Sequence, residues 1–295
     1  MFSFHNLEPQ KHENTKVMKP GKYFMKTIQA IVAAVLLLLP ASTLFSQGNW
    51  YINGSLQMVS GKYIYDESTS SYTLYGGIRY QTPRWYASAD FSAFAQSSEL
   101  VSRGGDMFLP GNHGQSGNGM HSPNRGMMTN GSTFSGGLGD IFLRGEYTFL
   151  TERNSLPSVS LNGMIKIPVA HTSDIYGTGE FDFGMGIALR KRFGQYATFA
   201  DVGYIALGSP EEYTYRDPVA YGFGAGRFFR NGQYSVLAYY QGYTRILSEF
   251  DPPRQLSLGF NIRTSAALTF SITGSYGLSE TSPDVGVSGG ITVAL

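Results

Sequence analysis

From Trp50 to the carboxyl end, segments of about ten residues in which apolar and polar side chains alternate recur about twelve times, separated by turn residues. The stretch GLGDIFLRGEYTFL (137–150) shows the rule. In a strand, Asp140, Phe142, Arg144, Glu146 and Thr148 share one face, while Ile141, Leu143, Gly145, Tyr147 and Phe149 share the other. No sustained helical periodicity follows Ser46. The segments start near Trp50, Tyr72, Trp85, Gly137, Ser158, Phe181, Tyr196, Ala220, Tyr234, Gln255, Ala267 and Asp284.

The links between segments alternate in length. QTPR, TERNSLP, FGQ, RNG and TSA follow the even segments and are short enough for tight turns. YDESTSS, the 98–135 stretch, AHTSDIYGTGE, GSPEEYTYRDPV, SEFDPPR and SETSPD follow the odd ones. Short and long links therefore lie on opposite rims, and an even strand count returns both ends of the chain to the short-turn rim. This is the pattern of an outer-membrane barrel with short periplasmic turns and long extracellular loops. The fold class expected is all-β: a single transmembrane antiparallel up-and-down β-barrel of about 12 strands.

Alternation alone also suits a secreted sandwich or lipocalin-like barrel, whose apolar face turns inward. Composition separates the two. Charged residues make up only 15% of the chain, and the polar faces are rich in Gly, Ser, Thr and Asn. On the apolar faces, Leu256, Leu258, Phe260 and Ile262, then Leu268, Phe270 and Ile272, then Phe181, Phe183, Met185, Ile187 and Leu189, run without charge, as contact with lipid requires. Trp50, Tyr80, Trp85, Tyr147, Phe149, Phe193, Tyr196, Phe228 and Tyr234 gather near the short turns and read as a periplasmic aromatic girdle.

Residues 25–46 carry Lys26, an apolar run from Ile28 to Leu39 and small or polar residues near Ser46, the signature of a secretory signal peptide. The run is too short for a spanning helix. Residues 1–24 read as an N-terminal extension upstream of a true start at Met25, and 47–295 as the barrel, with the long extracellular loop at 98–135. Without residues 1–46 the chain keeps 17 basic and 19 acidic groups, near neutrality, so nothing calls for nucleic acid. There is no cysteine, hence no disulfide framework and no thiolate metal site.

The charges expected to face the lumen are Arg79, Asp90, Asp140, Arg144, Glu146, Lys166, Asp182, Arg190, Asp201 and Arg263, mixed in sign. They suit either a constriction that orients a polar solute or pairs that hold the lumen together. His113 and His121, with Met107, Met120, Met127 and Met128, place soft-metal donors in the 98–135 loop, but their spacing fits no known site, and the stretch reads as a Gly-rich surface loop. An outer-membrane lipid hydrolase needs a Ser beside a His on the barrel wall, whereas His113, His121 and His171 all fall in loops. GFGAG (222–226) has no helix after it, so it cannot cradle a phosphate. No enzyme activity, metal or cofactor is expected.

GLGD (137–140), KIP (166–168), GTGEFDFGMGIAL (177–189), GYIALG (203–208) and GLSETSPDVGVSGG (277–290) resemble a family of bacterial outer-membrane transporters associated with the meta-pathway of phenol degradation. The likeness covers roughly residues 137–295. Val169 and Ala170 stand where that family continues with Thr-Gly, so this loop departs from the pattern. The resemblance implies passage of small hydrophobic or aromatic molecules across the outer membrane of a Gram-negative bacterium. The partners expected are the lipid bilayer, lipopolysaccharide, the barrel insertion machinery, for which the last strand ending in Leu295 serves as signal, and a small-molecule substrate. The alternative is a closed structural or adhesive barrel that binds a partner through the 98–135 loop.

Overall fold

The computed structural model describes residues 48–63, 68–97, 101–104, 107–110, 135–169, 179–209 and 215–295. Fifteen strands run in chain order: β1 (Asn49–Gly61), β2 (Thr69–Gln81), β3 (Trp85–Gln96), β4 (Val101–Gly104), β5 (Met107–Pro110), β6 (Ser135–Leu138), β7 (Ile141–Leu150), β8 (Ser158–Ile167), β9 (Asp182–Phe193), β10 (Tyr196–Ala206), β11 (Val219–Phe229), β12 (Tyr234–Tyr243), β13 (Arg254–Arg263), β14 (Leu268–Gly277) and β15 (Val285–Ala294). Each wall strand pairs antiparallel with its neighbour in sequence, and β1 pairs with β15 from Tyr51↔Ala294 to Ser60↔Val285, which closes the sheet. The closed barrel has twelve staves, because β6 and β7 form one stave in two pieces. β3 pairs with β7 through Trp85–Asp90 and with β6 through Ala93–Gln96. Among the described residues, β4 and β5 form a separate two-stranded hairpin.

Two local features depart from the sequence expectation. The stave expected to run unbroken from Gly137 breaks at Gly139 and Asp140. Gly139 N–H still donates to Ser92 O at 2.8 Å, while the Asp140 side chain turns to other partners. The unpatterned 98–135 stretch contains the β4–β5 hairpin; His113, His121, Met120, Met127 and Met128 lie outside the described residues, as do residues 1–47 with the expected signal segment.

The short rim is built from turns that need left-handed backbone. Gly194 has φ +60° between β9 and β10, and Gly232 has φ +84° between β11 and β12. A glycine adopts these values without the clash a Cβ brings. At the same rim, Lys191 Nζ donates to Glu152 Oε1 at 3.1 Å and to the carbonyls of Asn154 and Leu156, tying the 151–157 turn to β9. The Lys191 hydrogen bond, helped by the Arg192 backbone N–H, holds the Glu152 carboxyl below the usual range.

Burial decides which face is outside. Leu256, Leu258, Phe270, Ile272, Met185, Ile187, Leu74, Ile52 and Leu56 are exposed on the outer surface. The buried apolar set among the described residues is short (Val59, Phe142, Ala188, Tyr215, Tyr243, Ile246), and the buried polar set is longer, with Ser71, Thr73, Gln96, Asp140, Ser160, Lys166 and Asp182 in it. A soluble protein would reverse this arrangement, since burying polar groups and wetting apolar ones are both unfavourable in water. The outer face therefore meets lipid, and Ile141, Leu143, Tyr147 and Phe149 stand on it. Outward aromatics form two belts. Trp50, Phe149, Phe193 and Tyr196 lie by the short turns, and Tyr72, Tyr204 and Tyr276 lie toward the long loops. From Tyr196 to Tyr204 the strand advances about 26 Å, which a tilt of about 40° reduces to about 20 Å of height, the scale of a bilayer's apolar layer. Phe228, read from the sequence as part of the girdle, pairs with Ser235 and shares the inner face with Gly226, under the Arg192 guanidinium 5.1 Å away.

The inner face of β11 is a stripe of glycines, and its neighbours lie across it. Tyr239 covers Gly222, Phe199 covers Gly224 and Leu237 covers Gly226, with the Phe199 and Tyr239 rings stacked at 5.6 Å. A methyl group at Gly224 would stand 2.4 Å from Ala238 O and 2.5 Å from the Phe199 ring. Gly224→Ala is expected to destabilise the barrel by about 1–3 kcal/mol through overpacking. Gly274→Ala, with no atom within 4 Å of the added methyl, is expected to cost nothing measurable. Urea unfolding of both variants in lipid checks the difference.

Candidate functional site

With the apolar side chains outside, alternation sends the polar ones inward. They are not spread evenly. β13, β14, β15 and β1 present Gln255, Ser257, Asn261, Thr273, Ser271, Ser288, Thr292, Ser55 and Gln57, uncharged groups. The charges cluster on the opposite arc, from β2 to β10, in three sets.

The first set lies toward the short-turn end. Arg144 Nη1 meets Asp90 Oδ2 at 2.8 Å, and Asp90 also accepts from Ser88 Oγ at 3.0 Å and Asn53 Nδ2 at 3.4 Å. The Arg144 guanidinium sits 4.8 Å from the Phe142 ring centre. Glu146 takes Arg190 in a two-pronged bond, 2.5 and 2.8 Å, reaching across β8. Bidentate carboxylate pairing fixes a guanidinium in plane as well as in place. Arg79 belongs to the same neighbourhood but has no carboxylate. Its guanidinium lies 5.0 Å from the Tyr51 ring centre and 5.9 Å from that of Tyr86.

The second set is one pair in mid-wall: Asp201 Oδ1 accepts from the Tyr239 hydroxyl at 2.7 Å. The third set is at the long-loop end. Lys166, with no exposed surface, lies 2.8 Å from Asp182 Oδ2 and 3.7 Å from Asp140 Oδ2, both carboxylates nearly fully buried. Their remaining oxygens are used as well: Asp140 Oδ1 accepts from Val169 N at 3.1 Å and Asp182 Oδ1 from Gly208 N at 2.9 Å. The triad thus fastens the break between β6 and β7 to the chain leaving β8 and the chain leaving β10. The tenth residue, Arg263, ends β13 at the short-turn rim, exposed, its guanidinium toward Asn231 O at 3.4 Å.

The structure therefore brings nine of the ten charges onto the wall in three sets and leaves Arg263 apart from them at the rim. Aromatic side chains absent from the expected set stand among these charges: Tyr51, Tyr86, Phe142, Phe199 and Tyr239. The register contained the signal, since Tyr86 has the parity of Ser88 and Asp90, and Tyr239 that of Gln241. At the long-loop mouth, Tyr215 and Ile246 from two loops pack on Tyr243 of β12, with Ile205, Leu207 and Leu247 around them. Arg216 N–H donates to Ile246 O at 2.8 Å and joins the two loops. This buried apolar cluster comes from loops, so no strand periodicity could have announced it.

No family model and no curated protein sequence matches the chain. Among solved structures it is similar to the COG4313 outer membrane channel from Pseudomonas putida F1, with 10% identity and a TM-score of 0.59 over 84% of this chain and 96% of that one. It is also similar to the NanC porin, with 7% identity and a TM-score of 0.50 over 83% of this chain and all of the other. At these identities the likeness is one of fold, and the fold is that of the barrels of the bacterial outer membrane.

Proposed function

We propose that the chain is a passive outer-membrane channel for small molecules, hydrophobic and aromatic ones among them, with no chemistry of its own. The carrying observation is the state of the lumen charges: four of the five carboxylates are held by cations of the same wall, and the fifth, Asp201, by a tyrosine hydroxyl. A wall whose carboxylates are all engaged, facing an arc of Ser, Thr, Asn and Gln, offers a solute no free acidic group to hold it, and short-lived contacts are what conduction requires. Twelve staves enclose more space than eight, which side chains fill, and less than the sixteen of a water-filled porin. The inner aromatics Tyr51, Tyr86 and Tyr239 favour solutes with a flat apolar part. The channel and porin to which the fold is similar agree with this reading, as does the family resemblance of residues 137–295.

Swelling of liposomes containing the refolded barrel tests it. Small neutral solutes are expected to enter at rates that fall with solute size. If folded protein admits none of them, the barrel is closed and the structural or adhesive reading replaces this one.

A further inference from the structure

Arg79 is the one lumen arginine of its set without an acidic partner among the described residues. The two carboxylates near it are committed, Asp90 to Arg144 and Glu146 to both terminal guanidinium nitrogens, Nη1 and Nη2, of Arg190. Arg79 has ring contacts only, and its Nε is buried with no hydrogen-bond acceptor. Buried donors normally find acceptors, and a charged one left unmet is costly. Three arginines and two carboxylates also leave this part of the wall with one net positive charge.

We propose that Arg79, framed by Tyr51 and Tyr86, is the anchor for the carboxylate of a small aromatic acid passing through the barrel. The chemistry selects this occupant in three steps. A guanidinium lying over ring faces uses its own face for the cation–π contact, and its in-plane N–H groups stay free. Those N–H groups form a fork that matches the two oxygens of a carboxylate. The tyrosine rings beside the fork then offer surface against which the ring of the same solute stacks or packs edge-on. A neutral aromatic alcohol satisfies the rings but not the fork, and an aromatic amine meets a wall of its own sign. The inference rests on the channel reading and deepens it by naming a solute class and the residue that selects it.

The test uses the refolded barrel in planar bilayers, with wild type, Arg79→Gln and Arg79→Lys each verified as folded by heat-shifted electrophoretic mobility. Benzoate, benzyl alcohol and benzylamine are added in turn while single-channel current is recorded in KCl. Benzoate is expected to interrupt the wild-type current. Its blocking constant should rise about tenfold in Arg79→Gln, the equivalent of losing one charge-assisted hydrogen bond, and by less in Arg79→Lys, which keeps the charge without the fork. Benzyl alcohol should not distinguish the three proteins, and benzylamine should not block the wild type. Equal block of wild type and Arg79→Gln by benzoate, or none in a conducting wild type, overturns the Arg79 assignment and leaves the channel intact. Should no protein conduct, the channel reading fails, and benzoate titration of the detergent-solubilised barrel by calorimetry decides the site separately: binding abolished in Arg79→Gln supports it, and absence of binding to wild type overturns it.

Discussion

Lys166→Met is expected to destabilise the barrel by about 3–5 kcal/mol. The lysine has no exposed surface, and its ammonium lies between Asp182 at 2.8 Å and Asp140 at 3.7 Å. Removing it leaves two buried carboxylates near each other with no compensating charge. Desolvation and like-charge repulsion then act together. The carboxylates cannot swing away freely, because each also accepts a backbone N–H, from Val169 and Gly208 respectively. The triple variant Lys166→Met, Asp140→Asn, Asp182→Asn keeps those two acceptors and carries no charge, so it should recover most of the loss. Equilibrium unfolding in urea of the lipid-reconstituted barrel measures both. A single variant as stable as wild type would show that the triad is not a fastening.

Leu258→Arg is expected to cost about 2–4 kcal/mol, and Ser257→Arg far less. Leu258 is in the middle of β13, on the outer face, and exposed there to the extent of 59%. A guanidinium at that height must leave water for hydrocarbon or thin the bilayer around itself. Ser257, one residue away, pairs in register with Ser275 of β14 and Tyr239 of β12 on the inner face, where polar groups can solvate an added charge. The same unfolding experiment reads both variants. Equal tolerance at the two positions would mean that the faces are assigned the wrong way round.

Strand positions were legible because a barrel wall repeats one rule. The expected starts at Trp85, Ser158, Tyr196 and Tyr234 coincide with the first residues of β3, β8, β10 and β12, and most others fall within a residue or two. The rule has no term for a break, so the interruption at Gly139 and Asp140, where the Asp140 side chain joins the Lys166 triad, was not visible. The charges of the site were legible as residues on the polar face, but their pairing was not. Glu146 meets Arg190 over an intervening strand, and Asp90 meets Arg144 diagonally across β3 and β7, outcomes of register and of what small side chains leave room for. The isolation of Arg79 follows only from those pairings. Phe228 was misplaced for a related reason: an aromatic near a turn looks like girdle, whereas its pairing with Ser235 puts it inside.

Passage through the barrel requires one arrangement, an apolar outer face in lipid and a polar inner face in contact with water. The absence of cysteine makes a direct measurement available, because a single introduced thiol has no competitor. Each position from Leu256 to Asn261 would be changed to Cys in turn (Ser257→Cys, Leu258→Cys and so on), reconstituted in liposomes, and reacted with a membrane-impermeant maleimide. The account predicts labelling at positions 257, 259 and 261 and protection at 256, 258 and 260. Labelling of the even positions with protection of the odd ones, or no alternation at all, would contradict it.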